Sequence, residues 1–366
     1  MPAPTHRFWA ALLLLVSPLG FEAREPKPDY SQRYLLIDAF KLATLRKEIN
    51  EAAGAGYRVV NAVPLRTSGG DVQALLLEKT RDATGLYDYL FITPPAKQAL
   101  LGRAFAKQKP LAEDLNAGGQ EGFRLLPHTV AASRGHETSG ASLLLVGHQA
   151  VLERSPATSL RYQYVVLEAD CKPDTLRKVR ETVAQGYEIV GITAAGVVLE
   201  KLVEAVAETR QTGEVGSELA ARPQYLCLDT VRTSTLKQEM NEAAAAGYRV
   251  IAFGFGRVMY LERAAAPPET YEYRLLSYRE GLQAAGEAGF RLRPESSRGG
   301  NLLMEKPPGT TTSYEYLILA ERTIAGTAKA LNDASQRGFS VVGITQDTDR
   351  GVGICVMEKS FTPPPQ

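Results

Sequence analysis

The chain has few of the residues that carry most protein chemistry. Its 366 residues include three Cys, four His and one Trp. It contains no His-Glu-x-x-His pair, no Gly-x-Ser-x-Gly elbow and no Gly-x-x-x-x-Gly-Lys-Ser/Thr loop, which are signatures of zinc proteases, serine hydrolases and P-loop proteins. Three cysteines without Cys-x-x-Cys spacing also exclude a small disulfide-stapled fold and argue against a redox or zinc motif. We therefore expect no cofactor.

An excess of charge of one sign is also absent. The 42 Lys and Arg residues nearly balance the 41 Asp and Glu residues, which leaves a formal net charge of +1. Such a chain has no overall attraction to nucleic acid or to an anionic membrane, so we predict no nucleic-acid partner. At 44% hydrophobic residues the composition excludes a disordered or collagen-like chain, and the length favours about two packed domains.

The apolar run at the N-terminus is too short to span a membrane. It extends from Phe8 to Val16, well short of the roughly 18 to 20 residues of a spanning helix. Basic residues precede it and small residues follow it, as is typical of a secretory signal peptide. We interpret residues 1–23 as a signal peptide and 24–33 as a linker, with an uncleaved anchor as the alternative. The mature protein is then secreted or periplasmic, without a membrane span.

One sequence signature recurs six times in the rest of the chain. It consists of an aromatic-led apolar strand, an Ala-rich helical stretch, a Gly-aromatic step, a second apolar run, and a third run that ends in Glu followed by Lys or Arg. The strands open at Tyr34, Tyr87, Tyr162, Tyr225, Tyr271 and Tyr314. The Gly-aromatic steps begin at Gly56, Gly122, Gly186, Gly247, Gly289 and Gly338. The closing pairs begin at Glu78, Glu153, Glu200, Glu262, Glu305 and Glu358.

Each repeat predicts a strand, a helix and a hairpin of two strands. Leu45, Ile49 and Ala52 lie at i, i+4 and i+7, on one helical face. A Gly just past the last turn adopts the left-handed conformation, and the aromatic residue after it packs back onto the helix, which we favour over a ligand-stacking role. We predict an α+β fold of six tandem βαββ units, each with a mainly antiparallel three-stranded sheet and one helix. A crossover connection makes the first two strands parallel and allows the third to lie between them.

The six units form a three-unit block that occurs twice. Residues 44–60 match residues 235–251 at 12 of 17 positions, which relates unit one to unit four. The first block is predicted at 34–202, with units at 34–80, 87–155 and 162–202. A linker rich in Glu, Ala and Gly follows at 203–224. The second block is predicted at 225–360, with units at 225–263, 271–306 and 314–360, before a tail at 361–366.

The motifs resemble a small uncharacterised bacterial βαββ domain family, a domain of unknown function whose members read aromatic-Glu-Tyr, then Leu-Asn, then Gly-Trp-Glu-Leu-Val. The matching residues here are Tyr314 to Tyr316, Leu331-Asn332 and Gly338-Phe339. The chain differs where Tyr or Phe replaces the family's Trp and where Arg replaces its Glu. Because that family has no established activity, the resemblance implies a fold rather than a function.

Unit two carries the first candidate site. This unit is the longest, with an insertion at 93–109 and a polar loop at 129–142, and it holds His128, His136 and His148. Neutral imidazole ligates metals and titrates near neutral pH, so the three residues are candidates for a metal or acid-base site. The alternative, which we favour, is that they are unconnected loop residues, because they are spread along the segment.

Four arginines form the second candidate site. Arg58, Arg124, Arg249 and Arg291 follow the Gly-aromatic step in their units. A guanidinium group presents a planar fork of donors, so a repeated row of them is a candidate face for an anionic ligand. Each unit also has a Glu at the end of its third strand, and we favour structural pairing between the two across neighbouring hairpin strands.

The cysteines have two interpretations. Cys227 and Cys355 lie in predicted strands and are most simply small buried residues. A bridge from Cys171 to Cys227, between adjacent units, is the alternative.

The recurring residues explain packing better than chemistry, since the six units share no nucleophile, base or metal ligand. The sequence therefore favours a non-enzymatic exported repeat protein that acts as a binding or scaffold module for an unknown protein or anionic ligand. The alternative is an enzyme or small-ligand-binding protein with a single site at the unit-two hairpin or between the two blocks.

Overall fold

The computed structural model describes fourteen segments of the chain. They are residues 28–38, 42–67, 70–80, 87–92, 111–130, 150–155, 159–193, 196–203, 224–230, 232–253, 258–263, 270–293, 301–347 and 352–362. Within them, no helix is long and apolar enough to cross a membrane.

Every unit has the predicted order of strand, helix, strand and strand. The helices are α1 (Leu42–Gly54), α2 (Leu111–Gln120), α3 (Pro173–Ala184), α4 (Thr233–Ala245), α5 (Leu282–Glu287) and α6 (Ile324–Gln336). The strands of the first block are β1 (Tyr34–Ile37), β2 (Tyr57–Thr67), β3 (Gly70–Lys79), β4 (Asp88–Ile92), β5 (Arg124–Leu125), β6 (Ala150–Arg154), β7 (Arg161–Leu167), β8 (Glu188–Thr193) and β9 (Gly196–Val203). Those of the second are β10 (Gln224–Leu228), β11 (Tyr248–Phe253), β12 (Met259–Arg263), β13 (Glu272–Ser277), β14 (Arg291–Leu292), β15 (Asn301–Lys306), β16 (Ser313–Leu319), β17 (Ser340–Asp347) and β18 (Val352–Phe361).

The third strand lies in the middle of each three-stranded sheet. The order is β1-β3-β2 in unit one, and the other five units repeat it. The middle strand is antiparallel to both neighbours, so the first and second strands are parallel to each other and are joined by the crossover helix. The predicted α+β fold of six βαββ units is confirmed, together with the central position of the third strand.

The Gly-aromatic step ends each helix as predicted. The glycines at 56, 122, 186, 247, 289 and 338 all have positive φ, between 85° and 90°, where a side chain would be strained. The aromatic ring that follows is covered by the last residue of the closing pair, with the cationic group 4.5 to 5.9 Å from the ring centroid in all six units. The closing Lys or Arg therefore has a local role, as a cation–π cover for the end of its own helix.

Each helix packs between two sheets. In unit one, Ile49 of α1 lies in a buried cluster with Leu77 of its own sheet and with Phe91 and Val151 of unit two. Five further clusters join the remaining neighbours in the same way. The apolar interior is thus divided among the junctions between units, and each sheet is covered on both faces.

The last of these clusters joins the two ends of the chain. Leu331 of α6 and Met357 of β18 pack against Tyr34 and Leu76 of unit one. Unit six therefore contacts unit one just as each earlier unit contacts the next. The six units form a closed ring, and the two sequence blocks are its halves.

The second strand of a unit closely approaches the preceding unit at two of the junctions. A Cβ atom added to Gly343 of unit six would lie 2.8 Å from Leu292 Cδ2 of unit five, and one added to Gly191 of unit three would lie 3.1 Å from Pro127 Cβ of unit two. The helices keep the first strands of neighbouring units apart, whereas the second strands converge. Glycine is needed at these two positions because the chains approach so closely.

The ends of the blocks differ in detail from the predicted boundaries. The signal segment 1–23 and residues 204–223 of the predicted linker lie outside the described residues. Residues 28–33, predicted as part of the N-terminal linker, belong to the ring, because Tyr30 packs on the unit-one core and Arg33 pairs with Glu78.

We expect the ring to survive a cut between its halves. Trypsin cleavage after Arg210, in the predicted linker, should give two fragments that elute together at the size of the intact protein even with reductant present, because apolar clusters join the halves at both junctions. Size-exclusion chromatography followed by gel electrophoresis checks this. Fragments that separate in the presence of reductant, or preferential cutting inside either block, would contradict it.

Candidate functional site

A cluster of Arg, Tyr and Glu recurs where one unit meets the next, and we call it the junction cluster. Its Tyr and Glu lie opposite each other on the first and third strands of one unit, and its Arg comes from the second strand of the preceding unit. Between units four and five, Arg249 Nη2 donates to Glu305 Oε1 at 2.9 Å, and the Tyr273 hydroxyl donates to Glu305 Oε2 at 2.8 Å. The same hydroxyl accepts a hydrogen bond from the Val250 amide at 2.9 Å. Glu305 is only 4% exposed, so these donors replace the water that it loses.

All four predicted arginines lie in junction clusters. The other three clusters combine Arg58 with Tyr89 and Glu153, Arg124 with Tyr164 and Glu200, and Arg291 with Tyr316 and Glu358. Their guanidinium–carboxylate distances are 2.7 to 3.0 Å. The structure therefore brings the arginines to equivalent junctions, each on a buried carboxylate.

The pairing runs between units, which differs from the favoured pairing within a hairpin. The register does place Arg58 opposite Glu78 of its own unit, but its guanidinium binds Glu153 of unit two. The physical reason is that Glu78 is already bound by Arg33 and Tyr34. The partner of each arginine is thus the next unit's glutamate.

Both tyrosines of the Tyr-x-Tyr motif contribute to the cluster. The second one binds the glutamate, and the first lies under the arginine of the preceding unit, with guanidinium-to-centroid distances of 4.8 to 5.8 Å. In units one and four, Tyr34 and Tyr225 lie opposite Glu78 and Glu262, so they correspond to the second tyrosine. Aligning them with the first tyrosine of the other units was wrong by two residues.

A helix amide protects the exposed edge of the next sheet. Asn332 of α6 accepts a hydrogen bond from the Tyr34 amide at 2.9 Å and donates to the Tyr34 carbonyl at 3.0 Å. Asn116 binds Tyr164 in the same two ways, and Asn241 accepts from the Tyr273 amide. The first strand of each unit is an edge strand, so its outward-facing backbone N–H and C=O groups have no partner strand. The asparagine side chains form hydrogen bonds with these backbone groups. The Leu-Asn motif therefore has a junction role that the sequence alone did not reveal.

The ring closes with a different arginine. Unit six has Ser340 where four other units have Arg, and Arg33 of unit one takes over. Its Nη2 atom lies 2.7 Å from Glu78 Oε1 and donates to Ser340 Oγ at 2.8 Å. The Val341 amide donates to the Tyr34 hydroxyl at 3.1 Å, as in the other clusters.

Burial dominates the electrostatics of the clusters. It raises the pKa of Tyr89, Tyr164, Tyr273 and Tyr316 far above the usual 10.0, and the neighbouring carboxylate raises it further. Burial also raises the pKa of Glu358, against the opposing effects of Arg291 and Tyr316. The tyrosines therefore act as hydrogen-bond donors at neutral pH. The carboxylates of the clusters already accept hydrogen bonds from a tyrosine hydroxyl and a guanidinium group. This arrangement suits a structural contact between units rather than proton transfer.

The histidine hypothesis stays a prediction. His128 is exposed in a short 3-10 helix (Pro127–Thr129), whereas His136 and His148 lie outside the described residues. In the described segments, no group of three His, Cys, Asp or Glu side chains is placed to hold a metal ion.

One of the two interpretations of the cysteines, a disulfide bridge, applies to Cys171 and Cys227, and the other, a small buried residue, applies to Cys355. Cys171 and Cys227 form a disulfide between units three and four, so treating Cys227 as a simple buried residue was wrong. Cys355 is a free thiol in the core, as predicted, and burial raises its pKa to about 12.

No protein-family model matches the chain, and a search of curated proteins finds no significant similarity. The resemblance to the bacterial βαββ family stays a prediction, and the roles of these residues rest on their geometry.

The clusters predict a loss of stability at alkaline pH. A tyrosine whose folded pKa is raised stabilises the folded state fully below its unfolded pKa near 10.0, and this contribution declines as pH rises toward the folded value. We expect the free energy of urea unfolding to fall above about pH 10. The slope should be shallower in Tyr273→Phe, which itself costs about 1–3 kcal/mol at neutral pH because Val250 and Glu305 lose a partner.

Tyr248→Phe is the matched control, since that hydroxyl binds only the exposed Gln224 side chain at 3.3 Å. Equal effects of the two substitutions would contradict the role of the junction cluster.

We expect the removal of junction-cluster arginines to lower the stability of the folded protein without changing its binding to anions. The double variant Arg58→Ala, Arg249→Ala should unfold at a lower temperature, because Glu153 and Glu305 each lose a charged donor. On a heparin column it should elute with the control Arg177→Ala, Lys329→Ala, which removes two exposed cations from helix surfaces. Earlier elution of the junction variant alone would instead support an anion-binding face.

Proposed function

We propose that this protein is an exported, non-enzymatic binding or scaffold module built as a closed ring. The observation that carries this proposal is the use of the repeated polar side chains. The recurring Arg, Tyr, Glu and Asn residues bind one another across the junctions, as in the cluster of Arg249, Tyr273 and Glu305. Residues that are repeated in this way hold the ring together. Recognition of a partner then falls to the segments that differ from unit to unit.

The parts that vary are the connections between the second and third strands. They comprise residues 68–69 in unit one and 194–195 in unit three, but 130–149 between the 3-10 helix and β6 in unit two. The described strand ends that these connections join lie at the same end of a ring whose units share one orientation. Insertions in repeat proteins are typically found on one face, which is often the binding face. The unit-two connection is therefore our candidate for contact with an unknown protein or anionic ligand.

Two features support export. The N-terminal segment has the order of a signal peptide, and the bridge between Cys171 and Cys227 is of a kind that persists in oxidising compartments.

The enzyme alternative receives less support from the junctions between the two blocks. Val179 and Leu199 of unit three pack there against Val258 and Tyr260 of unit four, and the other block junction contains the core around Tyr34. Among the described residues, packed apolar side chains form the core of both junctions, where this alternative would need a polar pocket.

Replacing residues 131–149 with the two residues Ala194-Ala195, which join β8 to β9 in unit three, tests the proposal. The junctions are untouched, so we expect a thermal midpoint close to that of the wild type. Cross-linking in intact producing cells, followed by mass spectrometry, should give partners with the wild type and with the control Arg177→Ala, and should lose them with the shortened loop. Identical partners in all three proteins would contradict the role of the loop, and conversion of a small molecule by the wild type alone would favour the enzyme.

A further inference from the structure

The junction between units three and four departs from the others. Glu188 stands where units one, two, four and five have Arg, opposite Glu200 in its own sheet. The glutamate on the unit-four side, Glu262, accepts a hydrogen bond from the Tyr225 hydroxyl at 3.0 Å. Among the described residues no guanidinium group pairs with Glu262. This junction therefore lacks the ion pair that the sequence neighbours on both sides possess.

A covalent bond lies at this same junction. Cys171 lies two residues before α3 of unit three, Cys227 lies in β10 of unit four, and their Cα atoms are 5.4 Å apart. Both cysteines are only partly buried, at the edge of the core between units three and four. The disulfide is placed between the helix of one unit and the first strand of the next, which are the elements that Asn332 and Tyr34 join by hydrogen bonds at the ring closure.

The chain connection is also longest at this junction. Residues 204–223 join β9 to β10, whereas residues 155–160 join β6 to β7 and 307–312 join β15 to β16. The other junction between the two blocks, from unit six to unit one, has no chain connection. The chain connection between the two half-rings is thus longer than the connections between neighbouring units within a half-ring.

We propose that the Cys171–Cys227 disulfide is a redox latch that holds the ring shut between its two halves. A dithiol reductant opens it by thiolate attack on one sulfur. The Cys171–Cys227 S–S bond breaks, the attacked cysteine forms a mixed disulfide with the reductant, and the other cysteine leaves as a thiolate. The second thiol of the reductant then displaces the attacked cysteine from the mixed disulfide. Two electrons and two protons leave two Cys thiols, and the reductant is oxidised to its own disulfide. Without the covalent bond, units three and four are held by their apolar contacts and by two hydrogen bonds to backbone carbonyls, from Arg180 to Tyr225 and from Tyr260 to Asp170. The junction still lacks the buried ion pair, because Glu188 stands in place of the usual arginine.

Hydrogen exchange of the full-length chain with and without a dithiol reductant tests the latch. Reduction should speed the exchange of protected amides in α3 and β10 at least tenfold. Amides in α4 and β13, whose junction is held by Arg249 and Glu305, should change less than twofold. The variant Cys171→Ser, Cys227→Ser should reproduce the reduced pattern without reductant, whereas Cys355→Ala should keep the response of the wild type.

A rescue variant separates the latch from general stabilisation by a disulfide. In the background Cys171→Ser, Cys227→Ser, we expect Glu188→Arg to restore slow exchange in α3 and β10, because it places a guanidinium group near Glu262 as in four other units. The matched Glu188→Gln variant removes the charge without adding donors and should restore less. Equal acceleration at all junctions on reduction, or no change in α3 and β10, would overturn the proposal. These outcomes can be measured on the wild type even if a variant fails to fold.

Discussion

The structure depends on a buried carboxylate that no unit satisfies alone. Glu153, Glu200, Glu305 and Glu358 lie near the C-terminal ends of the third strands of their units, with 4% to 7% of their surface exposed. A buried carboxylate needs donors around it, and removing one member of such a group is far more costly than removing an exposed ion pair. The unit itself supplies a tyrosine hydroxyl, with Arg293 as a further donor to Glu305 at 3.4 Å, and the preceding unit supplies the arginine of the cluster. Correct assembly of neighbours is therefore a condition for the burial of each glutamate.

The apolar clusters provide the driving force for the ring, and the polar clusters fix its register. Side chains such as Ile49 and Leu77 are fully buried at the junctions and gain most from leaving water. Apolar packing alone tolerates small shifts, whereas the hydrogen bond from the Val250 amide to the Tyr273 hydroxyl has a defined geometry. In a ring, a small error at each junction would add up and prevent closure. We infer that the polar residues recur because every junction has to meet the same angle.

Local features of the fold were predictable from the sequence, and partners distant in the chain were not. Gly56 and Tyr57 predicted a helix end because the left-handed glycine and the packed ring act within a few residues. Arg58 was recognised as one of a repeated set, but its partner Glu153 lies 95 residues away, and Glu78 lies opposite it in the same sheet. A repeat pattern cannot tell these two glutamates apart, because both occupy the same position in their units. Arg33 was missed for the opposite reason, since it has no counterpart in the pattern and acts only after the chain ends meet.

Hydrogen exchange at the Tyr34 amide, measured residue by residue by nuclear magnetic resonance, tests closure of the ring most directly. This amide is bonded to Asn332, 298 positions away, as the Tyr164 amide is bonded to Asn116 of its sequence neighbour. A closed ring predicts that the two amides are protected to a similar degree. Rapid exchange at Tyr34, at the rate of an exposed edge strand, with Tyr164 still protected, would contradict it.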